Sequence, residues 1–246
     1  MIQKIASLSQ SISKLSHQKD FNNTLPVLLN VLEKQGKDLY KIKIGNLITQ
    51  TKSQKDLIVG AQYFANLQKS SIGTLLLNQL TPYPKNLEIL QDSPLKLSFQ
   101  NLKEIFSKGE DFIGEWKEFL LNQFSDAPDK NSFLFFGNLL LSLQKNVISF
   151  NVYEDKKNYF LQLEKRQEES LGFYALYPNL GPLSGVVYKT LEKDIGLNLQ
   201  ASFESTKNLL KNHTKDLKLF HRIEISLQKN IEPLYQFTQN LLDLRG

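Results

Sequence analysis

The chain has 246 residues, 41% of them hydrophobic, with sixteen Phe, nine Tyr, no cysteine and a formal net charge of +5. That length and apolar content support one large domain or two small ones with real cores, and exclude a disordered chain. The missing cysteine excludes disulfides, thiolate zinc sites and cysteine nucleophiles.

The whole charge excess falls in residues 1–60, where nine Lys face four acidic residues. Only three residues of the chain are Arg, the type that reads phosphate and guanine in bidentate fashion. The basic region is therefore read as composition rather than as a nucleic-acid footprint. No apolar run approaches the roughly 20 residues needed to cross a bilayer. Met1–His17 lacks both a central apolar block and a small-residue cleavage site, so the cytoplasm is the expected location.

Ile2, Ile5, Leu8, Ile12 and Leu15 recur at three- and four-residue steps, which predicts an amphipathic helix. A second helix is predicted after Asn22–Thr24, with Pro26 in its first turn, Val27, Leu28, Val31 and Leu32 on one side, and a stop at Gly36. From Tyr40 the period becomes two: Tyr40, Ile42 and Ile44 alternate with Lys41 and Lys43, and Gly45-Asn46 turns the chain into Leu47–Thr51. Further strands are expected over Ala61–Leu67 and, after a turn at Lys69–Ser71, over Ile72–Leu77. Together they predict a small antiparallel barrel or curled sheet.

Pro82, Pro84 and Pro94 mark an irregular link. Helical spacing follows around Leu102–Phe106, Phe112–Leu120 and Phe133–Leu143, with Gly109 and Asp126–Asp129 between them. Strands return over Val147–Tyr153 and Asn158–Glu164, a hairpin about Glu154–Lys157, and over Leu171–Tyr177, Val186–Leu191 and Leu197–Phe203. A helix over 206–220 capped by Ser205, a strand over Arg222–Gln228 and a closing helix over Glu232–Leu244 complete the pattern. The predicted fold class is α+β. Its parts are N-terminal helices over 1–36, a small β unit over 37–97, a helical connector over 98–146, and an α+β unit over 147–246 whose mixed strands pack on a helix.

The pattern carries little chemistry. His17, His213 and His221 form no HExxH, paired-zinc or Ser-His-Asp arrangement, and the twelve glycines form no phosphate-cradling loop. Glu168-Glu169 and Asp126/Asp129 read as solvated loop charge. No catalytic residue, metal or cofactor is expected, and the chain is read as non-enzymatic.

One segment is more specific: FYALYPNLGPLSGVVYKTLEKDIGLNLQASFESTKNLL, residues 173–210. Its alternating strand, the turn Pro178–Gly181, a strand running away over Gly185–Leu191, the Ala-containing strand Leu197–Phe203 and a helix opening at Ser205-Thr206 resemble the C-terminal domain of flagellar hook-length control proteins. More weakly, the resemblance extends over 147–228. It implies a role in flagellar type III export, with a switch-type domain that meets the cytoplasmic domain of the export-gate switch protein, or other export or hook components. It also implies that the chain could itself be exported. The loop Pro178, Asn179, Leu180, Gly181, Pro182 and Leu183 is the candidate partner-binding element. Pro178 and Pro182 each fix a backbone angle, Gly181 admits a positive one, and Pro182 is expected to prevent continued pairing. Leu180 must cover the core or meet a partner. Family members carry a long flexible Pro/Gln/Ser-rich region that acts as a ruler; residues 1–146 here read as folded, so a measuring role is not implied. Two alternatives compete: a structural or adaptor subunit of a motor or secretion complex, and a barrel that binds nucleic acid.

Overall fold

The computed structural model describes residues 2–15, 25–69, 75–90, 92–107, 112–166, 169–190, 194–217, 219–238 and 241. Among them are five α-helices and eleven strands in two sheets, an α+β fold. The expected helix start at Asn22–Thr24, His17, part of the turn at Lys69–Ser71, Gly109, Glu168 and Lys193 lie outside the described residues.

Helix α1 (Ile2–Leu15) forms as its apolar stripe predicts, burying Ile5, Leu8 and Ile12. The next element overturns a prediction. Val27–Lys34 is a strand, β1, and not a helix. It pairs antiparallel with β2 (Leu39–Ile44) on one side and β4 (Gln62–Lys69) on the other. With β3 (Leu47–Lys52) and β5 (Leu75–Pro82) these strands close a barrel in the order β1-β2-β3-β5-β4. The barrel thus begins ten residues earlier than 37, and its last strand runs later than Ile72–Leu77. Gly45 turns the β2–β3 hairpin at φ 56°, a region where glycine carries no Cβ penalty. The β3–β5 join is short and parallel, through Thr51 and Lys52, and Thr51 Oγ1 reinforces it by donating to the Leu75 carbonyl at 2.9 Å. Closure leaves the barrel without a free edge.

Barrel strands β1 and β4 are buried on both faces. Leu29, Val31, Tyr63 and Ala65 fill the barrel, while Leu28 and Phe64, pointing the other way, join the larger core of the molecule. Phe64 meets Tyr83 there at 5.8 Å between ring centroids.

A 3-10 turn over Lys85–Leu90 leads to α2 (Phe99–Ser107), α3 (Phe112–Ser125) and α4 (Lys130–Gln144). The Asp126–Asp129 stretch has a structural task. Asp129 caps α4, its carboxylate accepting from the Ser132 amide at 2.8 Å and from the Ser132 hydroxyl; these bonds hold its carboxyl below the usual range. In the run after it, Phe135 and Phe136 are buried, whereas Phe133 is part-exposed and stacks on Phe124.

The second sheet runs β11-β10-β9-β8-β7-β6. Its members are β6 (Val147–Glu154), β7 (Lys157–Lys165), β8 (Ser170–Tyr177), β9 (Gly181–Lys189), β10 (Ile195–Ala201) and β11 (Arg222–Leu227). All neighbours are antiparallel except β10 and β11, which α5 (Glu204–Asn212) connects as a crossover. On one face Phe106 and Trp116 close on Phe150. Three sequence expectations change here. Helix α5 starts at Glu204 with Phe203 at its cap position, so Ser205 lies within the first turn, and it stops at Asn212. Strand β9 begins at Gly181 and pairs Pro182 with Leu176, so Pro182 does not end pairing. Pro182 is tolerated because it lies at the start of the strand and outside the β9–β10 register, which begins at Leu183.

The third change is at the C-terminal end. Residues 228–238 form no helix; they run as a strap over the sheet. Gln162 holds the strap by donating to the Tyr235 carbonyl at 2.8 Å and accepting from the Tyr235 amide at 3.2 Å. Asn138 does the same at Thr238, at 2.8 and 2.7 Å. Both side chains are fully buried.

Tyr83, Tyr174 and Tyr177 are buried in the larger core, and that burial pushes their phenols well above the ordinary range. Each therefore keeps its proton in the folded chain beyond the point, about pH 10, where the unfolded chain loses it. Their contribution is complete below about pH 10 and is lost as pH rises past it. The chain should hold its fold up to about pH 10 and then unfold cooperatively, with phenolate absorbance rising in step with loss of far-ultraviolet circular dichroism. Full titration of all tyrosines under a native dichroism spectrum would contradict this.

Candidate functional site

The barrel and the six-stranded sheet meet along a cleft of about 580 Å³, within the range of ligand-binding sites. Strands β1, β2 and β4 supply one wall, with Asn30, Lys43 and Gln62. The β6–β7 hairpin supplies the other, with Asn151, Lys156, Lys157 and Asn158, and the β8–β9 turn closes one end with Pro178 and Asn179. The alternation that sends Leu29 and Val31 into the barrel turns Asn30 toward the cleft.

The electrostatics are one-sided. Three Lys line the cleft and none of the described lining residues is acidic. Burial lowers the pKa of Lys157, with nearby Asp155 acting in the opposite direction. Lys156 sits in the two-residue hairpin turn at φ 60°, following Asp155 at φ 51°, a conformation that normally selects Gly or Asn. The other polar side chains of the lining are the phenols of Tyr83 and Tyr159 and several amides, and three amide oxygens are buried without a donor: Asn30 Oδ1, Asn151 Oδ1 and Asn158 Oδ1. Asn151 is 1% exposed, and its nitrogen faces the Leu90 and Leu95 carbonyls at 3.4 and 3.5 Å, which fixes the oxygen's orientation.

Only part of the predicted loop reaches this surface. Pro178 and Asn179 line the cleft, but Leu180, Gly181, Pro182 and Leu183 are buried. Leu180 is 0% exposed and covers the core, and its carbonyl accepts from Thr206 Oγ1 at 2.8 Å. Gly181 adopts φ 76°. The cleft's amides escaped the sequence reading because neutral side chains from β1, β6 and β7 form no local pattern.

The arrangement offers hydrogen-bond acceptors beside positive charge. Among the described residues the lining includes no Ser, Thr, His or carboxylate, and no three His, Cys, Asp or Glu gather as metal ligands. His213 pairs with Asp216 and His221 approaches Asp194, away from the cleft. The barrel's aromatics Tyr40, Tyr63 and Phe64 are all buried, so they present no platform on which bases could stack. Among the described residues no helix is long and apolar enough to cross a membrane. Compared with family models, curated proteins and solved structures, the chain matches none.

Proposed function

We propose that the chain is a non-enzymatic protein of flagellar type III export and assembly, working through protein contacts of its C-terminal unit, as the hook-length control switch domains it resembles do. The observation that carries this reading is the element order over residues 170–212. Strand β8, a tight turn ending in Gly181 at positive φ, strand β9, the Ala-containing strand β10 and a helix whose first turn holds Thr206 follow one another there, with β9 and α5 starting at Gly181 and Glu204, before the Gly185 and Ser205 of the resemblance. The folded barrel and helices that precede this unit suit a switch or assembly factor better than a flexible ruler. The expected partner is the cytoplasmic domain of the export-gate switch protein, and the expected setting is the cytoplasm or the export channel.

Immobilised gate domain should bind the full chain saturably, and deletion of the gene should alter hook length or motility. Absence of both effects would remove the export reading. A second reading, an adaptor subunit docking through the barrel, is favoured by apolar side chains left exposed there, with Leu47 at 60% and Ile58 at 61%.

A further inference from the structure

We propose that the cleft between the barrel and the six-stranded sheet binds an extended, acidic peptide segment of a protein partner. The proposal rests on the reading that the chain works by protein contacts, and on no component of the export apparatus.

Three observations converge on that ligand. First, Asn30, Asn151 and Asn158 line the cleft, and each carries a buried side-chain oxygen without a donor, whereas buried acceptors in folded proteins are paired. They call for N–H groups spaced along a ligand. Second, the chain already shows what its buried amides hold. Gln162 and Asn138 each bind both the carbonyl and the amide of one strap residue, reading extended backbone irrespective of side chain. A peptide main chain supplies the same donors at regular spacing to the cleft. Third, Lys43, Lys156 and Lys157 line the cleft and none of its described lining residues is acidic, Asp155 of the same hairpin turn lying outside the lining, so side chains that leave the extended backbone meet a net positive lining. Acidic residues suit that field and basic ones do not. A single-stranded nucleic acid would meet the lysines through its phosphates, but its base N–H groups could reach the amide oxygens only if the bases were held in place, and the barrel's aromatics Tyr40, Tyr63 and Phe64 are buried and offer no stacking platform.

The test is display of random dodecapeptides on phage, panned against the immobilised full chain. Phage that also bind a Lys43→Glu, Lys156→Glu, Lys157→Glu triple variant are removed. Enriched peptides are then synthesised with a fluorescent label and titrated by anisotropy, beside a labelled fifteen-residue oligothymidine. The expected peptides are rich in Asp and Glu and poor in Pro. Their affinity should fall at least about tenfold in the triple variant and in Asn158→Ala, while both variants melt as the parent does. Methylation of alternate backbone nitrogens in the same peptide should abolish binding. The proposal is overturned if no enriched peptide distinguishes parent from variants, since the amides would then be merely hydrated. It is equally overturned if backbone methylation leaves affinity unchanged, or if only oligothymidine binds and is lost in the triple variant. Should acidic peptides bind while the gate domain does not, the cleft site stands and the export reading falls.

Discussion

Replacing Gly181 with Asp, together with Leu180→Ala, will lower the melting temperature of the chain sharply. A Cβ at position 181 would lie 2.7 and 2.9 Å from Cε2 and Cδ2 of the Phe203 ring. That ring is fully buried at the start of α5. The backbone there sits at φ 76°, which costs a residue with a Cβ about 1–2 kcal/mol, and overpacking adds about 1–3 kcal/mol. Truncating the wholly buried Leu180 costs about 2–5 kcal/mol. Several kcal/mol is a large part of a typical total of about 5–15 kcal/mol, and each one moves the midpoint by about 2–4 °C in a chain of this size. Thermal melts followed by circular dichroism will read the shift; a midpoint within about 2 °C of the parent would show that Phe203 yields and Leu180 contributes little. It follows that a partner lost by this double variant reports a loosened domain. Contact through the turn must be probed at Pro178 and Asn179.

The second large effect is expected at the strap. Phe237 is 1% exposed and meets Phe160 edge-on, with centroids 5.4 Å apart and an interplanar angle of 82°. Phe237→Ala should cost about 3–5 kcal/mol and release residues 235–238 to hydrogen exchange. Asn138→Ala removes the two hydrogen bonds to the Thr238 carbonyl and amide, a further penalty of about 0.5–1.5 kcal/mol each. Because both changes loosen one segment, the combined loss should be smaller than the sum of the two. Full additivity, with protection at 235–238 retained in each single variant, would show that the strap is held by something other than these two anchors.

Much of this fold is legible in the sequence, because two- and 3.6-residue periods survive wherever an element buries one face. Helix α1, the β2–β3 hairpin with Gly45 at its turn, and the β6–β7 hairpin all appear close to where their spacing places them. Strand β1 does not, for a physical reason. Both of its faces are covered, Leu29 and Val31 by the barrel and Leu28 by the larger core, and an apolar run without alternation resembles a helix stripe. Leu234, Phe237 and Leu241 stand at a helical spacing, which is why the strap's sequence predicts a helix. The alternative backbone partners that make it extended, Gln162 and Asn138, stand 73 and 100 residues away, beyond any local pattern. The turn at 178–181 was legible as geometry, but whether Leu180 faces core or solvent depends on where α5 lies. The cleft is the least legible of all, since it exists only once barrel and sheet are side by side.

The strap also governs when the molecule can close. Phe160 and Gln162 are synthesised some seventy residues before Tyr235, and Ser9 of α1 must wait for the Tyr177 hydroxyl, 168 residues on. Contacts so distant in sequence form slowly, after the loop-closure entropy between them has been overcome. A ribosome carrying this chain therefore holds a partly open polypeptide until residues 228–238 emerge. Over that interval the sheet face around Phe160 is uncovered, open to whatever protein reaches the nascent chain first.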